Sequence, residues 1–256
     1  MIEPHEIWTL SHTHIGHIVR VYESVPSTND LATALSVSPI QYGIAILADE
    51  QTAGRGTHGR IWQSQPGSSL IASIIIDPIL APALPVIVTA WVTVAVAETI
   101  RELTGLRARI KWPNDVLIDG KKVCGILIER QAAIVVGIGL NLNQTAADFQ
   151  NANLPDATSL SLESSEVISR DAAAKVLLQK LDERYEQVRD GDWNDLETNW
   201  IDWMALNDKW VSVERADGST RSGRVINLAF DGIVLQSLDR KIERILPERI
   251  RQIRET

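Results

Sequence analysis

Four short blocks rich in glycine and lysine recur in fixed order between strand-length apolar runs, and they limit what the chain can build. They are Gly54-Arg55-Gly56-Thr57-His58-Gly59-Arg60-Ile61-Trp62, Lys111-Trp112-Pro113-Asn114-Asp115, Lys122-Val123-Cys124-Gly125-Ile126-Leu127 and Gly137-Ile138-Gly139-Leu140-Asn141. Glycine inside a strand marks a close approach of the backbone to something else, here a flat ligand. The first block fits G-x-G-x-x-G, but it runs into Ile61-Trp62-Gln63-Ser64-Gln65-Pro66-Gly67, which cannot form the helix that a dinucleotide fingerprint needs. No H-R-D or D-F-G sequence follows, so a kinase loop fails as well. What remains is a flexible loop whose N–H groups can turn toward an anion and whose Arg55 and Arg60 can fork onto phosphate or carboxylate oxygens. A basic surface loop without a ligand is the alternative.

The other blocks are weaker alone. Lys111 and Lys122 flank the Trp112-Pro113 corner and the Asp119-Gly120 turn, so a hairpin would let both reach one cavity, although a hairpin lysine is ordinarily solvated. Asn114 and Asp115 are turn formers that serve local capping, while Asp115 could hold a magnesium ion or take a proton from an amine. Asn141 stands where it could bond a nucleotide. Together the blocks describe a site that holds a nucleotide phosphate beside an unreactive carboxylate, which is adenylate-forming chemistry.

Composition removes several classes. With 256 residues the chain can bury a full core and a second small unit. A net charge of −8 argues against a general nucleic-acid backbone binder. The single cysteine, Cys124, excludes an internal disulfide and a multi-cysteine zinc site, and its apolar run makes it a buried inert thiol. His5, His12, His14 and His17 have no regular ligand spacing and read as a solvated polar arm. No targeting segment is visible, and the apolar stretch from Leu84 to Ala97 is too short to span a bilayer, so the expectation is a cytoplasmic soluble protein without membrane contact.

Periodicity orders the rest. Strands are predicted at 15–22, 44–48, 70–76, 107–111, 116–118, 123–129 and 134–141, with a hairpin at Asp119-Gly120. Ser27-Thr28-Asn29-Asp30 has capping-box spacing and opens a helix through Leu35. A second helix runs from about Leu84 to Leu103, with Ile87, Ala90, Trp91, Val94 and Ala97 on one face, and Gly105 stops it. Residues 144–158 read as an irregular loop. Helices follow over 170–189 and through the stripe Trp193, Leu196, Trp200 and Trp203, which packs against a neighbouring domain. From about 207 short strands at 210–215, 221–228, 233–237 and 242–246 suggest a small five-stranded barrel, which divides the chain into 1–206 and 207–256.

The four blocks, with Ser27-Thr28-Asn29 and Gln51-Thr52-Ala53-Gly54, resemble the biotin protein ligase family over about residues 23–145. Its patterns are S-T-N, Q-T-A-G-R-G-R-x-G-R-x-W, K-W-P-N-D, K-x-x-G-I-L and G-x-G-x-N. The resemblance implies an α+β fold: a mixed β-sheet catalytic domain with packed helices, like class II aminoacyl-tRNA synthetases, plus a small C-terminal SH3-like β-barrel. It implies ATP with Mg2+, biotin as substrate, biotinyl-5′-AMP as intermediate, and a lysine of the biotin carboxyl-carrier domain of acetyl-CoA carboxylase as acceptor. A homodimer stays open.

Residue by residue, the resemblance puts Ser27, Thr28, Asn29, Gln51, Gly54, Arg55, Lys122, Gly125, Ile126 and Gly137 around biotin. It puts Arg55, Arg60, Trp62, Lys111, Asn114 and Asn141 around the nucleotide. Lys122 would be the principal catalytic cation, with Arg55 and Asp115 beside it. Thr57 departs from the pattern, which has arginine there, so the adenylate is expected to be held less tightly unless His58 or another cation compensates. The glycines predict a loop that orders on ligand binding. Two other readings share the fold: a biotin-responsive DNA-binding repressor, disfavoured by net acidity and by too few residues before Ser27 for a helix-turn-helix, and a lipoate ligase.

Overall fold

The apolar runs pair into two sheets. The computed structural model describes residues 2–63, 65–78, 85–131 and 133–256. Its larger sheet contains β1 (Glu6–Thr9), β2 (Ile18–Val25), β3 (Ala45–Gln51), β4 (Ser69–Ile76), β5 (Arg109–Lys111), β6 (Asp115–Ile118), β7 (Lys121–Arg130) and β8 (Ile134–Asn141). Their order across the sheet is β1-β2-β3-β4-β8-β7-β6-β5. Only β2 and β3 run parallel, so the sheet is mixed. β4 is buried along its whole length, and a strand covered on both faces reads as a near-continuous apolar run. One face carries Leu70, Ile74 and Ile76 toward α2 (Pro85–Thr104) and α5 (Arg170–Asp190); the other packs Ile75 and Ile46 under Ala32 of α1 (Thr28–Leu35).

Several expectations change. The one-faced reading of α2 gives way to a helix buried nearly all round from Val86 to Ile100, since α5, the sheet and α6 (Asn194–Met204) enclose it. The expected start at Leu84 lies outside the described residues. The irregular stretch 144–158 contains α3 (Ala146–Asn151), opened by a true capping box in which Thr145 and Asp148 bond each other's backbone N–H. A short helix, α4 (Leu160–Ser164), follows it. Part of the histidine arm is docked rather than solvated: His12, His14 and His17 are half-buried, while His5 is exposed. Asp182 of α5 accepts the backbone N–H groups of Thr13, His14 and Ile15 at 2.9, 2.7 and 2.7 Å, and His14 pairs with Glu186 at 2.9 Å. Burial alone would raise the Asp182 carboxyl, but those three donors outweigh it and hold it below its ordinary range.

The second sheet is antiparallel, in the order β12-β11-β10-β9-β13. Its strands are β9 (Trp210–Arg215), β10 (Thr220–Ala229), β11 (Gly232–Gln236), β12 (Ile242–Ile245) and β13 (Ile250–Glu255). The sequence did not locate β13 because an irregularity between Ile250 and Gln252 spaces its buried residues, Ile250 and Ile253, by three instead of two. Trp200 of α6 lies between Trp112 and Phe230, with ring centroids 6.1 and 5.2 Å away, so the aromatic stripe is packing, as expected. Trp112 Nε1 donates to Ile250 O at 3.2 Å, and Arg109 reaches Met204 O, Ala205 O and Glu255. Among the described residues no helix is long and apolar enough to cross a membrane.

Candidate active site

Lys122 owes its place to a two-residue hairpin. Asp119 and Gly120 join β6 to β7 with φ of 48° and 81°, and two positive φ values define the turn whose twist suits antiparallel strands. The hairpin carries Lys122 Nζ to 2.5 Å from Asp115 Oδ1. The Lys122 backbone also anchors the segment after α3, donating to Asp156 O at 2.7 Å and accepting from Thr158 N at 2.8 Å. Asn114 serves the local role: its Nδ2 donates to Ile126 O at 2.6 Å, while Ile126 N donates to Asn114 O at 3.1 Å.

The Gly-rich block folds back on itself. Gly56 N donates to Arg60 O at 2.7 Å, Trp62 N to Gly54 O at 3.0 Å, and Arg55 pairs with Ile61. The Arg55 guanidinium grips both oxygens of Asp30, at 2.7 and 2.6 Å, and approaches Glu129 at 3.4 Å. The hydrogen bonds that Arg55 donates hold the Asp30 carboxyl below its ordinary range, and the accepting Asp30 carboxylate pushes the Arg55 guanidinium above its own. Asp30 therefore takes only half of the expected capping box: its N–H donates to Ser27 Oγ at 3.3 Å, and its carboxylate turns to Arg55.

The strand glycines do receive a close neighbour, but it is the protein itself. A Cβ on Gly139 would lie 2.5 Å from the Trp62 ring, one on Gly125 would be 3.3 Å from it, and one on Gly137 would strike Asn29. Trp62 Nε1 is buried and has no hydrogen-bond partner among the described residues. Under the ring lies a polar floor. Gln51 Oε1 accepts from Thr28 N at 2.8 Å and from Thr28 Oγ1 at 3.0 Å. Ser73 Oγ sits 2.7 Å from Thr28 Oγ1 and 2.6 Å from Asn29 Oδ1, and Asn29 Nδ2 donates to Glu129 Oε2 at 2.6 Å. Ser73, Glu129 and Asp30 were not among the predicted site residues. A serine in the middle of an otherwise apolar, fully buried strand was the available signal for the first, since buried hydroxyls find partners.

Two adjoining cavities result. Of the residues assigned to biotin, all but Gly54 line the inner one, together with Trp62, Asn114 and Ile71. Gly54 is buried behind it, against Gln51 and the Trp62 carbonyl. The outer cavity brings together Arg60, Trp62, Lys122 and Asn141 with Phe149 and Leu154 from α3 and its exit. Thr57, Trp62 and Lys122 border both. Lys111 lines neither, and Arg55 lines only the inner one. Asn141 is buried, its Nδ2 donating to Thr158 O and its Oδ1 accepting from Gln144, both at 2.9 Å. Cys124 is buried and burial pushes its thiol up, so it stays protonated. The His58 side chain lies outside the description.

A model of the biotin/lipoate A/B protein ligase family matches residues 21–143. The bifunctional ligase/repressor BirA of Bacillus subtilis is 32% identical over 237 residues, covering 90% of this chain and 73% of BirA. The chain belongs to the biotin protein ligase family. A biotin--[acetyl-CoA-carboxylase] ligase of Mycobacterium tuberculosis is 35% identical over 173 residues, 63% of this chain and 61% of that protein. The biotin protein ligase of Aquifex aeolicus, solved with biotin and ATP, superposes with a TM-score of 0.79 at 25% identity, over 93% of this chain and 99% of its own. The mixed sheet with packed helices and the separate antiparallel C-terminal sheet are the architecture of this family.

Proposed function

We infer that the protein is an ATP-dependent biotin ligase: it adenylates biotin and passes the biotinyl group to a lysine of a biotin carboxyl-carrier domain. One observation carries the reading. Lys122 stands in the wall between the cavity lined by the biotin-assigned residues and the cavity bordered by Arg60, Asn141 and α3, where an acid and a nucleotide would meet.

Two anions repel, so their approach needs positive charge at the meeting point. A carboxylate oxygen of biotin attacks the α-phosphorus of ATP, the bond from that phosphorus to the bridging oxygen breaks, and pyrophosphate leaves. The Lys122 ammonium faces the carboxylate and the α-phosphate and stabilises the charge that builds on them. The acceptor lysine's neutral amine then attacks the biotinyl carbonyl carbon, AMP departs from that carbon, and the nitrogen loses a proton. Asp115, 2.5 Å from Lys122, is the carboxylate at hand to orient the amine and accept the proton. Thr28, Asn29, Gln51 and Ser27 meet the polar ring of biotin, and Ile126 and the glycine strands cover its apolar side.

Mg2+ enters with ATP. Asp115 is the residue that would hold the ion beside the phosphates, where it would neutralise charge on the nucleotide. The reading assigns no nucleic-acid partner, on the net charge of −8, and a gel-shift against DNA tests that part. The main test supplies ATP, biotin and the carrier domain of acetyl-CoA carboxylase and follows intact mass. The carrier should gain one biotinyl group. A gain with lipoate instead of biotin would replace this reading with the lipoate one.

A further inference from the structure

Arg55 is bound too well to serve as a free anion clamp. Its Nη1 and Nη2 each donate to one oxygen of Asp30, the bidentate geometry that makes arginine–carboxylate pairs strong, and Nη2 is shared with Glu129. Both carboxylates stand on elements outside the Gly-rich block, Asp30 on α1 and Glu129 on β7. Within residues 54–62 the backbone bonds tie the block to itself. Among the described residues, the polar contacts that tie it to the body of the sheet run through this guanidinium, with the Trp62 ring on Gly139 as the apolar contact. Glu129 also accepts from Asn29 Nδ2 at 2.6 Å, so one carboxylate touches both the polar floor of the inner cavity and the loop above it.

We propose that Asp30 and Glu129 are positioning residues that act through Arg55 to hold the Gly-rich loop, and with it Thr57 and Trp62, over the inner cavity. Glu129 couples the loop to the occupant of that cavity through Asn29. A ligand that redirects the Asn29 amide changes the carboxylate that the loop depends on, so retention of the acid and position of the loop are linked. The loop's hold on an anion then comes from its backbone N–H groups and from Arg60, with Lys122 opposite. The coupling to biotin rests on the biotin-ligase reading; the holding of the loop does not.

The first test uses the ligand-free full chain and trypsin, because Arg60-Ile61 is a cleavable bond on the loop and Ile61 is 72% exposed. Asp30→Asn and Glu129→Gln should each speed cutting at Arg60 about five- to tenfold, the range expected for losing a charge-assisted pair. Rates equal to wild type overturn the proposal. Arg55→Asp should behave like the single variants, and the charge-exchanged double variant Asp30→Arg/Arg55→Asp, which restores the pair with α1 but not the contact with Glu129, should be cut more slowly than Arg55→Asp. If a single variant fails to fold, the double variant decides alone: a folded chain cut more slowly than Arg55→Asp supports the proposal, and a folded chain cut as fast as Arg55→Asp overturns it. In the adenylation assay Glu129→Gln should raise KM for biotin about tenfold with kcat nearly kept. A loss confined to kcat would show that Arg55 acts on the reacting atoms and would overturn the positioning role. If the wild type forms no biotinyl-AMP, the ligase reading fails while the trypsin result stands.

Discussion

Lys122 and Arg55 are the two cations lining the inner cavity, and they are held there by opposite means. Lys122 stands on a hairpin whose turn, together with its backbone bonds to Asp156 and Thr158, fixes its place. Arg55 stands on a loop whose backbone bonds mostly to itself, and its side chain, 42% exposed with that of Asp30 57% exposed, supplies the ion pairs that join the loop to α1 and β7 among the described residues. A cation fixed by backbone keeps its address when its side chain is cut, so its removal tests chemistry alone. A cation fixed by side chains carries its loop away with it.

The sharpest way to break this contrast is Lys122→Ala. Adenylation should fall by about 10²–10³-fold, the effect of removing one preorganised charge from a developing anion, with the melting temperature unchanged. Rapid quench of biotinyl-AMP formation measures it, and a residual rate near wild type would remove Lys122 from the chemistry. Gly139→Ala comes next. Its methyl would meet the Trp62 ring at 2.5 Å, so the ring must move, and affinity for biotin and ATP should drop about tenfold by calorimetry while the sheet persists.

Thr57→Arg adds a charge where the two cavities join. Release of biotinyl-AMP without acceptor should slow several-fold, and equal release rates would mean that Thr57 does not loosen the adenylate. The smallest effect concerns acid. Arg55 holds the Asp30 carboxyl below its ordinary range, so the pair's contribution is complete above the unfolded carboxyl's value of about 3.9 and disappears as pH falls through the lower folded value. Pepsin cutting between Gly54 and Trp62 should therefore rise only below about pH 4, and Asp30→Asn should abolish the step.

Much of the fold was legible because the strands of the larger sheet announce themselves: β4 and β8 are buried apolar runs, and Asp119-Gly120 fixes the hairpin between β6 and β7. The misses have physical causes. The helix α3 buries little beyond Phe149 and so shows no apolar stripe, although Thr145 and Asp148 carried its capping box in plain view. The strand β13 hides its two buried isoleucines behind an irregular spacing. At the site, most residues assigned by resemblance do gather around the inner cavity, whereas Lys111 does not. What no motif could reveal was pairing at a distance. Asp30 and Glu129 are 25 and 74 residues from Arg55, and a helix-capping acid and a strand-end acid look ordinary until the sheet folds them together.

The wedge formed by Trp200 gives the proposed boundary near residue 206 a particular meaning. That tryptophan is fully buried between a ring of the larger sheet's corner and a ring of the smaller unit, and one continuous apolar core contains both. The boundary therefore divides the chain by texture, while one apolar core runs across it. An engineer who wished to transplant the small β unit, or to graft another in its place, would have to supply a new lid for Trp200 and a new acceptor for the Trp112 indole. Without them the corner that carries Asn114 and Asp115 would lose its footing.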